Sequence, residues 1–238
     1  MHRFSEFGDL TPFEIEAIKA LGDALTSYPR QTIIRPEGVP ATCFYLLLEG
    51  WAAASITLPR GGRQILKVHL PGDALGTPSM SVTHTVATIS TVTAALIVTI
   101  PFERFGKLIQ HHPRLAAYFL LSVQRERVSL MDQLTSMGRT SAESRLAAFL
   151  IDLLERLEPT GHVSDGTFVL PLIQEEIGDA LGLTNVHVNR TMRELERCGL
   201  IARERQRLTI VDRAALAEVA ARPTRLLCRN AAWLPPSH

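Results

Sequence analysis

The side chains best placed to do chemistry in this chain are amides and guanidiniums gathered near its C-terminal end. Leu170–Leu195 reads LPLIQEEIGDALGLTNVHVNRTMREL. On a helix, Asn185, Val186, Asn189, Arg190 and Arg193 share one face through i,i+4 steps. Arginine pairs bidentately with guanine and asparagine with adenine, so such a face suits base edges in a DNA groove. An ordinary helical hairpin with a solvated polar face fits the same letters, and both readings stand at this point. Chemistry of other kinds is poorly represented. There is no nucleophile–base set, no phosphate-cradling glycine loop and no metal spacing. Ser79 and Ser81 near His84 make only a lone Ser/His coincidence, and no turnover is expected. Cys43, Cys198 and Cys228 are isolated and without redox or ligand spacing, as expected of idle thiols in a reducing compartment.

Two short helices must hold that face. Ile173, Ile177, Ala180 and Leu181 recur at helical spacing in the first. Gly182 stands where a helix stop favours positive φ, Leu183 is an apolar plug, and Thr184 is a good N-cap for the second. Val188, Met192 and Leu195 form the inward stripe of that second helix. A strand over Thr167–Leu170 precedes the pair. Leu200–Ala202 and Arg207–Val211 then read as strands around Glu204-Arg205-Gln206, a β-wing with a basic tip. Asp212 caps a last helix through Ala221.

Charge follows the same geography. The net charge of the 238 residues is only +1. From Thr184 to Arg213, however, seven arginines face four acids, whereas residues 1–105 hold eight Lys/Arg and nine Asp/Glu. The basic surplus is therefore local to the helix pair and wing. Hydrophobic content of 46% and charged content of 21% indicate a folded globular chain. No signal-peptide pattern opens it, and no apolar run approaches the ~20 residues of a membrane span. A cytoplasmic location without membrane contact is expected.

The preceding chain has two textures. Leu10–Leu25 reads as a helix capped by Thr11 with Pro12 at its first position, Ile15, Ile18, Leu21 and Leu25 forming the apolar face. From Pro29 to Ile100, β-rich runs alternate with turns at Pro36-Glu37-Gly38, Glu49-Gly50, Arg60-Gly61-Gly62 and Pro71-Gly72-Asp73, the pattern of a barrel or roll. Trp51 and Phe44 are expected in its core. Phe102–Ile109 is a short helix. His112–Met137 is a long one, with a heptad seam of Ala116, Leu120, Val123, Arg127, Leu130, Leu134 and Met137, widened by Leu121, Val128 and Met131. A parallel copy of the chain is its simplest partner, and packing on the chain's own roll is the alternative. Gly138 is expected to break this helix. Thr140-Ser141-Ala142-Glu143 reads as a capping box for the next, which carries Leu146, Phe149, Leu150, Leu153, Leu154 and Leu157 and ends before Pro159. The domains expected are a sensor roll with the N-terminal helix (1–111), a dimerisation helix (112–138), a winged helix-turn-helix (139–222) and a loosely ordered tail (223–238).

This order of parts, an α+β chain of β-roll, long helix and winged helix-turn-helix, resembles the Crp/Fnr family of bacterial transcription regulators. The resemblance rests on IQEEIGDALGLTNVHVNRTMRELERCGLI, on VDRAAL, and on the glycines of RPEG, LLLEG and LPGD. It implies a homodimer on a palindromic operator, with double-stranded DNA and RNA polymerase as partners. By position it assigns base reading to Asn185, Val186 and Arg190, extended by Asn189 and Arg193, and phosphate contact to Gln174, Thr184 and His187. Many members carry glutamate where this chain has Val186, which offers only apolar contact, for instance to a thymine methyl. The effector pocket falls at Gly76, Thr77, His84, Thr85, Leu130 and Met131. Cyclic-AMP-binding members place Gly-Glu-Leu and Arg-Ser/Thr around the phosphate, where this chain has Gly76-Thr77-Pro78 and His84-Thr85. With no arginine between Lys67 and Arg104, a buried phosphate would lack its cation. Control by cyclic AMP is therefore not expected, and the effector stays open. The iron–sulfur branch needs N-terminal cysteines, which residues 1–42 lack. The haem branch would draw on His69, His84, His111, His112, Met80 or Met131, each read as an ordinary core or surface residue. No cofactor is expected. The alternative to a DNA-binding regulator is a small-ligand module acting on a protein partner.

Overall fold

The computed structural model describes residues 3–59, 61–223 and 225–236; Arg60, part of one expected turn, lies outside them. Helix α1 (Pro12–Lys19) opens the regular structure, its Thr11 hydroxyl accepting from the Glu14 N–H and the Glu14 carboxylate from the Thr11 N–H. The helix stops six residues short of the expected end. Gly22-Asp23 interrupts it, and Leu25, counted on its apolar face, lies exposed in a strand opposite Val98. A short apolar run does not distinguish helix from strand, and here pairing decided.

Eight strands follow: β1 (Ala24–Tyr28), β2 (Ile33–Arg35), β3 (Cys43–Glu49), β4 (Ala52–Thr57), β5 (Arg63–His69), β6 (Ala74–Leu75), β7 (Thr88–Thr91) and β8 (Ala95–Pro101). They form two four-stranded sheets, ordered β1-β8-β3-β6 and β2-β7-β4-β5, and β1–β8, β8–β3, β3–β6, β2–β7 and β7–β4 pair antiparallel. β3 shows why both faces of its sheet are apolar. Phe44 and Leu46 point to a cluster with Phe105, Leu108, Leu115 and Tyr118, while Tyr45 and Leu47 point to Ala52 and Ile89 of the second sheet. One face meets helices and the other meets a sheet, which is the roll expected from the strand spacing. Trp51 is buried, as Phe44 is.

Helices α2 (Phe102–His111) and α3 (Pro113–Arg139) come next. Leu115 and Tyr118 of α3 are buried, and Phe119 and Leu121 pack against the same cluster. Leu121 therefore belongs to the core and not to the seam. Gly138 does not break α3. A glycine inside a helix costs about 1 kcal/mol relative to alanine, which cooperative neighbours absorb. The break falls at Thr140, whose hydroxyl turns back to the Ser136 carbonyl (2.8 Å). Ser141, rather than Thr140, then caps α4 (Ala142–Leu157) by accepting from the Ser144 N–H.

β9 (Thr167–Val169), α5 (Gln174–Leu181), α6 (Asn185–Arg197), β10 (Ile201–Glu204), β11 (Arg207–Ile210) and α7 (Arg213–Ala220) complete the chain. α4 packs against α6 and α7, and Leu146, Leu150, Leu153, Val188, Leu195 and Leu216 are fully buried. Contacts divide the chain into two units. One comprises Met1–Ile56, Val68–Ser129 and Arg225–His238; the other comprises Thr57–Lys67 and Leu130–Thr224. The C-terminal stretch is better anchored than its composition suggests. The Asn230 N–H donates to the Phe7 carbonyl, and Leu234 packs on the first unit's core.

Candidate nucleic-acid interface

In the second unit, α5 ends where Gly182 turns left-handed (φ 64°), and α6 begins three residues later at Asn185. Ile173 precedes α5 as its N-cap and is exposed, so it is not part of the inward stripe. Its N–H is taken by the Glu176 carboxylate (2.9 Å). The Thr184 hydroxyl accepts from the His187 N–H (3.3 Å), the N-cap geometry expected of threonine. Val188, Thr191, Met192 and Leu195 are buried. Their burial turns the opposite face outward. Thr184, Asn185, Val186, His187, Arg190 and Arg193 are exposed, and Asn189 and Gln174 half-buried. Val186 is 76% exposed, a large apolar side chain held in water.

Ion pairs sort the arginines of this region. Arg197 clasps Glu194 on its own helix, and Arg203 on β10 clasps Glu196 with both nitrogens (2.6 and 2.8 Å). Hydrogen bonds from these guanidiniums hold both carboxyls below the usual glutamate range. The second pair also ties the wing to α6. Arg190, Arg193, Arg205 and Arg207 enter no ion pair among the described residues. Arg205 sits at the wing tip with φ 54°, between the paired ends Glu204 and Arg207. The acids near α6 are thus neutralised by two arginines, while the arginines on its outward face and at the wing tip keep their charge open to solvent.

The expected effector residues meet a different fate. Gly76 is left-handed (φ 78°), and a Cβ there would lie 2.4 Å from Nη2 of Arg35. Arg35 is 6% exposed. Its Nη1 donates to the Cys43 carbonyl (2.9 Å), its Nη2 to the Ser79 hydroxyl (3.2 Å), and its guanidinium lies over the Tyr45 ring at 5.6 Å. Nε has no partner among the described residues, and burial pushes the pKa down. Sequence spacing gave no sign of this residue, which lies 44 positions before Ser79. Thr85 is buried, and its hydroxyl donates to the Pro36 carbonyl (2.7 Å) while its N–H donates to the Val39 carbonyl (2.8 Å). The Val86 N–H points to the Ser79 hydroxyl (3.4 Å). Thr77 is half-buried and His84 exposed, its Nδ1 on the Thr83 hydroxyl. Leu130 and Met131 lie exposed on α3 among residues of the second unit. At the turn that would receive a cyclic phosphate, the Thr85 and Val86 donors are engaged within the first unit and Arg35 stands against Gly76, so these residues do not fit a cyclic nucleotide.

On α3, Leu120, Arg127, Leu130, Leu134 and Met137 are exposed and Val123 is half-buried. Leu134 reaches 75% exposure. Of the residues weighed as haem ligands, His69 is buried beside Asp73, Met80 packs on the roll core, His111 bonds the Lys107 carbonyl and His112 lies against Phe13. Among the described residues no group of three or more His, Cys, Asp or Glu could hold a metal ion, and no helix is long and apolar enough to cross a membrane.

Residues 144–219 match the Crp-like helix-turn-helix domain, and residues 25–112 the cyclic nucleotide-binding domain. The chain is 35% identical over 210 residues to the nitrogen fixation regulation protein FixK of Bradyrhizobium diazoefficiens, covering 87% of this chain and 86% of that protein. It is 35% identical over 195 residues to the transcriptional activatory protein AadR of Rhodopseudomonas palustris (82% and 80% covered). The fumarate and nitrate reduction regulatory protein of Escherichia coli matches at 27% over 176 residues (74% and 70%). Among solved structures, FixK2 from Bradyrhizobium japonicum superposes with a TM-score of 0.76 at 25% identity, over 84% of this chain and 98% of that one.

Proposed function

This chain belongs to the Crp/Fnr family of DNA-binding transcription regulators, and from that premise we propose that two copies read a two-fold operator through paired α6 helices without a cyclic nucleotide. The relatives matched along most of their length are transcription regulators, so a module acting on a protein partner is not favoured, nor is an enzyme.

The observation that carries the reading is the outward face of α6. Asn185, Val186, Asn189, Arg190 and Arg193 stand there, and among the described residues neither arginine enters an ion pair. Arg190 is the residue to pair with a guanine. Asn185 and Asn189 suit adenine, and Val186 offers contact to a thymine methyl. Thr184, His187 and Gln174 flank the helix starts, where phosphates are held for register rather than sequence. The wing arginines Arg205 and Arg207 add sequence-independent attraction.

Pairing of two copies is supported by α3, where Leu120, Leu130, Leu134 and Met137 form an exposed apolar row on heptad spacing. Val123 continues it and Arg127 interrupts it. Symmetric pairing would set two α6 helices against successive major grooves, roughly 34 Å apart along the duplex. Independence from cyclic nucleotides is supported by the engaged donors at Thr85 and Val86 and by Arg35 standing against Gly76. RNA polymerase is the further partner that family membership suggests, with no contact residue assigned.

A mobility-shift titration against salt tests the core of this reading. Binding to genomic fragments should fall linearly in log K against log salt, with a slope near −0.9 per phosphate neutralised. Absence of a shift with any fragment would contradict it.

A further inference from the structure

The last carbonyls of a helix have no intrahelical donors and need others. At the end of α5, three successive ones are taken by side chains from three other places. Gln64 Nε2 donates to the Asp179 carbonyl (2.6 Å), Gln133 Nε2 to the Ala180 carbonyl (3.4 Å) and Arg145 Nη1 to the Leu181 carbonyl (2.9 Å). Arg63 Nε also bonds the Asp179 carboxylate at 2.7 Å. Gln133 is on α3 and Arg145 on α4, while Arg63 and Gln64 lie in the Thr57–Lys67 segment of the same unit, 116 and 115 positions before Asp179.

We propose that Arg63 and Gln64 are positioning residues for base reading. They grip the C-terminal end of α5, and only Gly182, Leu183 and Thr184 separate that end from α6. A rotation of α5 about its axis would carry the reading face with it, so fixing Asp179 fixes the angle at which Arg190 meets its base. Three features favour this over a chance surface contact. Main-chain carbonyls, not only side chains, are held. The donors come from three separate elements. Gln64 and Arg63 grip one residue at two different groups, which sets an orientation and not only a distance. In catalysis a remote change that misplaces a group by about 1 Å can cost about 10²-fold, and base reading by hydrogen bonds depends on geometry in the same way. This inference rests on the reading of DNA by α6 proposed above.

The test uses the full-length protein, operator DNA and a random-sequence duplex across a salt series, with thermal unfolding in parallel. The doubly substituted Arg63→Ala, Gln64→Ala protein should bind operator about three- to tenfold more weakly, unfold near the wild-type temperature and keep the wild-type salt slope. Arg63→Asp alone and Asp179→Arg alone should each weaken operator binding, and the two together should restore it to within about twofold, as coupled neighbours do. Unchanged operator affinity in the Ala–Ala protein would overturn the proposal. So would a salt slope shallower by about one with no recovery in the swapped pair, because Arg63 would then be a direct phosphate contact. If instead the wild type showed no preference for operator over random duplex, the fault would lie with α6 as reader.

Discussion

Two regions gather cations and hydrogen-bond donors, and they treat them in opposite ways. At the Gly76–Thr85 turn, donors of Arg35, Thr85 and Val86 are spent on the fold. Arg35 is buried against Cys43, Ser79 and Tyr45, and the Thr85 and Val86 amides serve neighbouring loops. On α6 and the wing, two arginines satisfy the nearby carboxylates, leaving Arg190, Arg193, Arg205 and Arg207 facing water. A ligand-reading surface keeps polar groups open for its partner, because a hydrogen bond exchanged for one already made gains little. By that criterion the second region suits the reading role proposed for it, and the donors of the first that have partners serve the fold.

The contrast can be broken most severely at the α3 row. Leu130→Glu or Leu134→Glu would place a carboxylate in the seam and leave single copies, seen by sedimentation. Loss of the second half-site should cost about 10²–10⁴ in operator affinity through lost avidity. A variant that still sediments as a full dimer would remove the seam from the account. Arg190→Ala should cost about 1–3 kcal/mol of operator binding and relax preference at one base position, with thermal stability unchanged. Arg35→Ala should do the reverse. It strands the Cys43 carbonyl and Ser79 hydroxyl at a cost of about 1–3 kcal/mol of folding stability, while operator affinity measured below the unfolding temperature stays put. Calorimetry and anisotropy on the two variants therefore give a crossed pattern, and an uncrossed one would erase the distinction between the regions. The smallest effect is expected at Glu196. Its carboxyl is held low by Arg203, so the stabilisation is present above the ordinary glutamate range and lost as pH falls through the lowered value. The pair is partly exposed and worth no more than about 1 kcal/mol. Glu196→Gln should thus differ in stability from wild type at neutral pH and converge with it on acidification.

Legibility from sequence followed the range of the interactions. The helix pair could be read because its signals are local: Gly182 for the left-handed turn, Thr184 for the cap, and a 3–4 spacing of Val188, Met192 and Leu195. The wing and the Asp212 cap were legible for the same reason, the Ala215 N–H donating to Asp212 as expected. Where neighbours far along the chain decide, the reading failed. Leu25 is drawn into a ladder with Val98 and so leaves the helix that its spacing suggests. Leu121 is taken from the seam by the roll core. Arg35 was not legible because it is far from Gly76 in sequence and reaches that turn from β2. Gln64 and Arg63 were missed likewise, since no local pattern announces a side chain that serves a carbonyl more than a hundred residues away.

Selection of bound duplexes from a random-sequence pool by the full-length protein tests the central claim most directly. The account predicts recovered sites with two-fold symmetry, half-site centres about one helical turn apart, and a guanine position whose enrichment is lost in Arg190→Ala. Recovery of no preferred sequence, or of sites whose symmetry and guanine preference are untouched by that substitution, would contradict it.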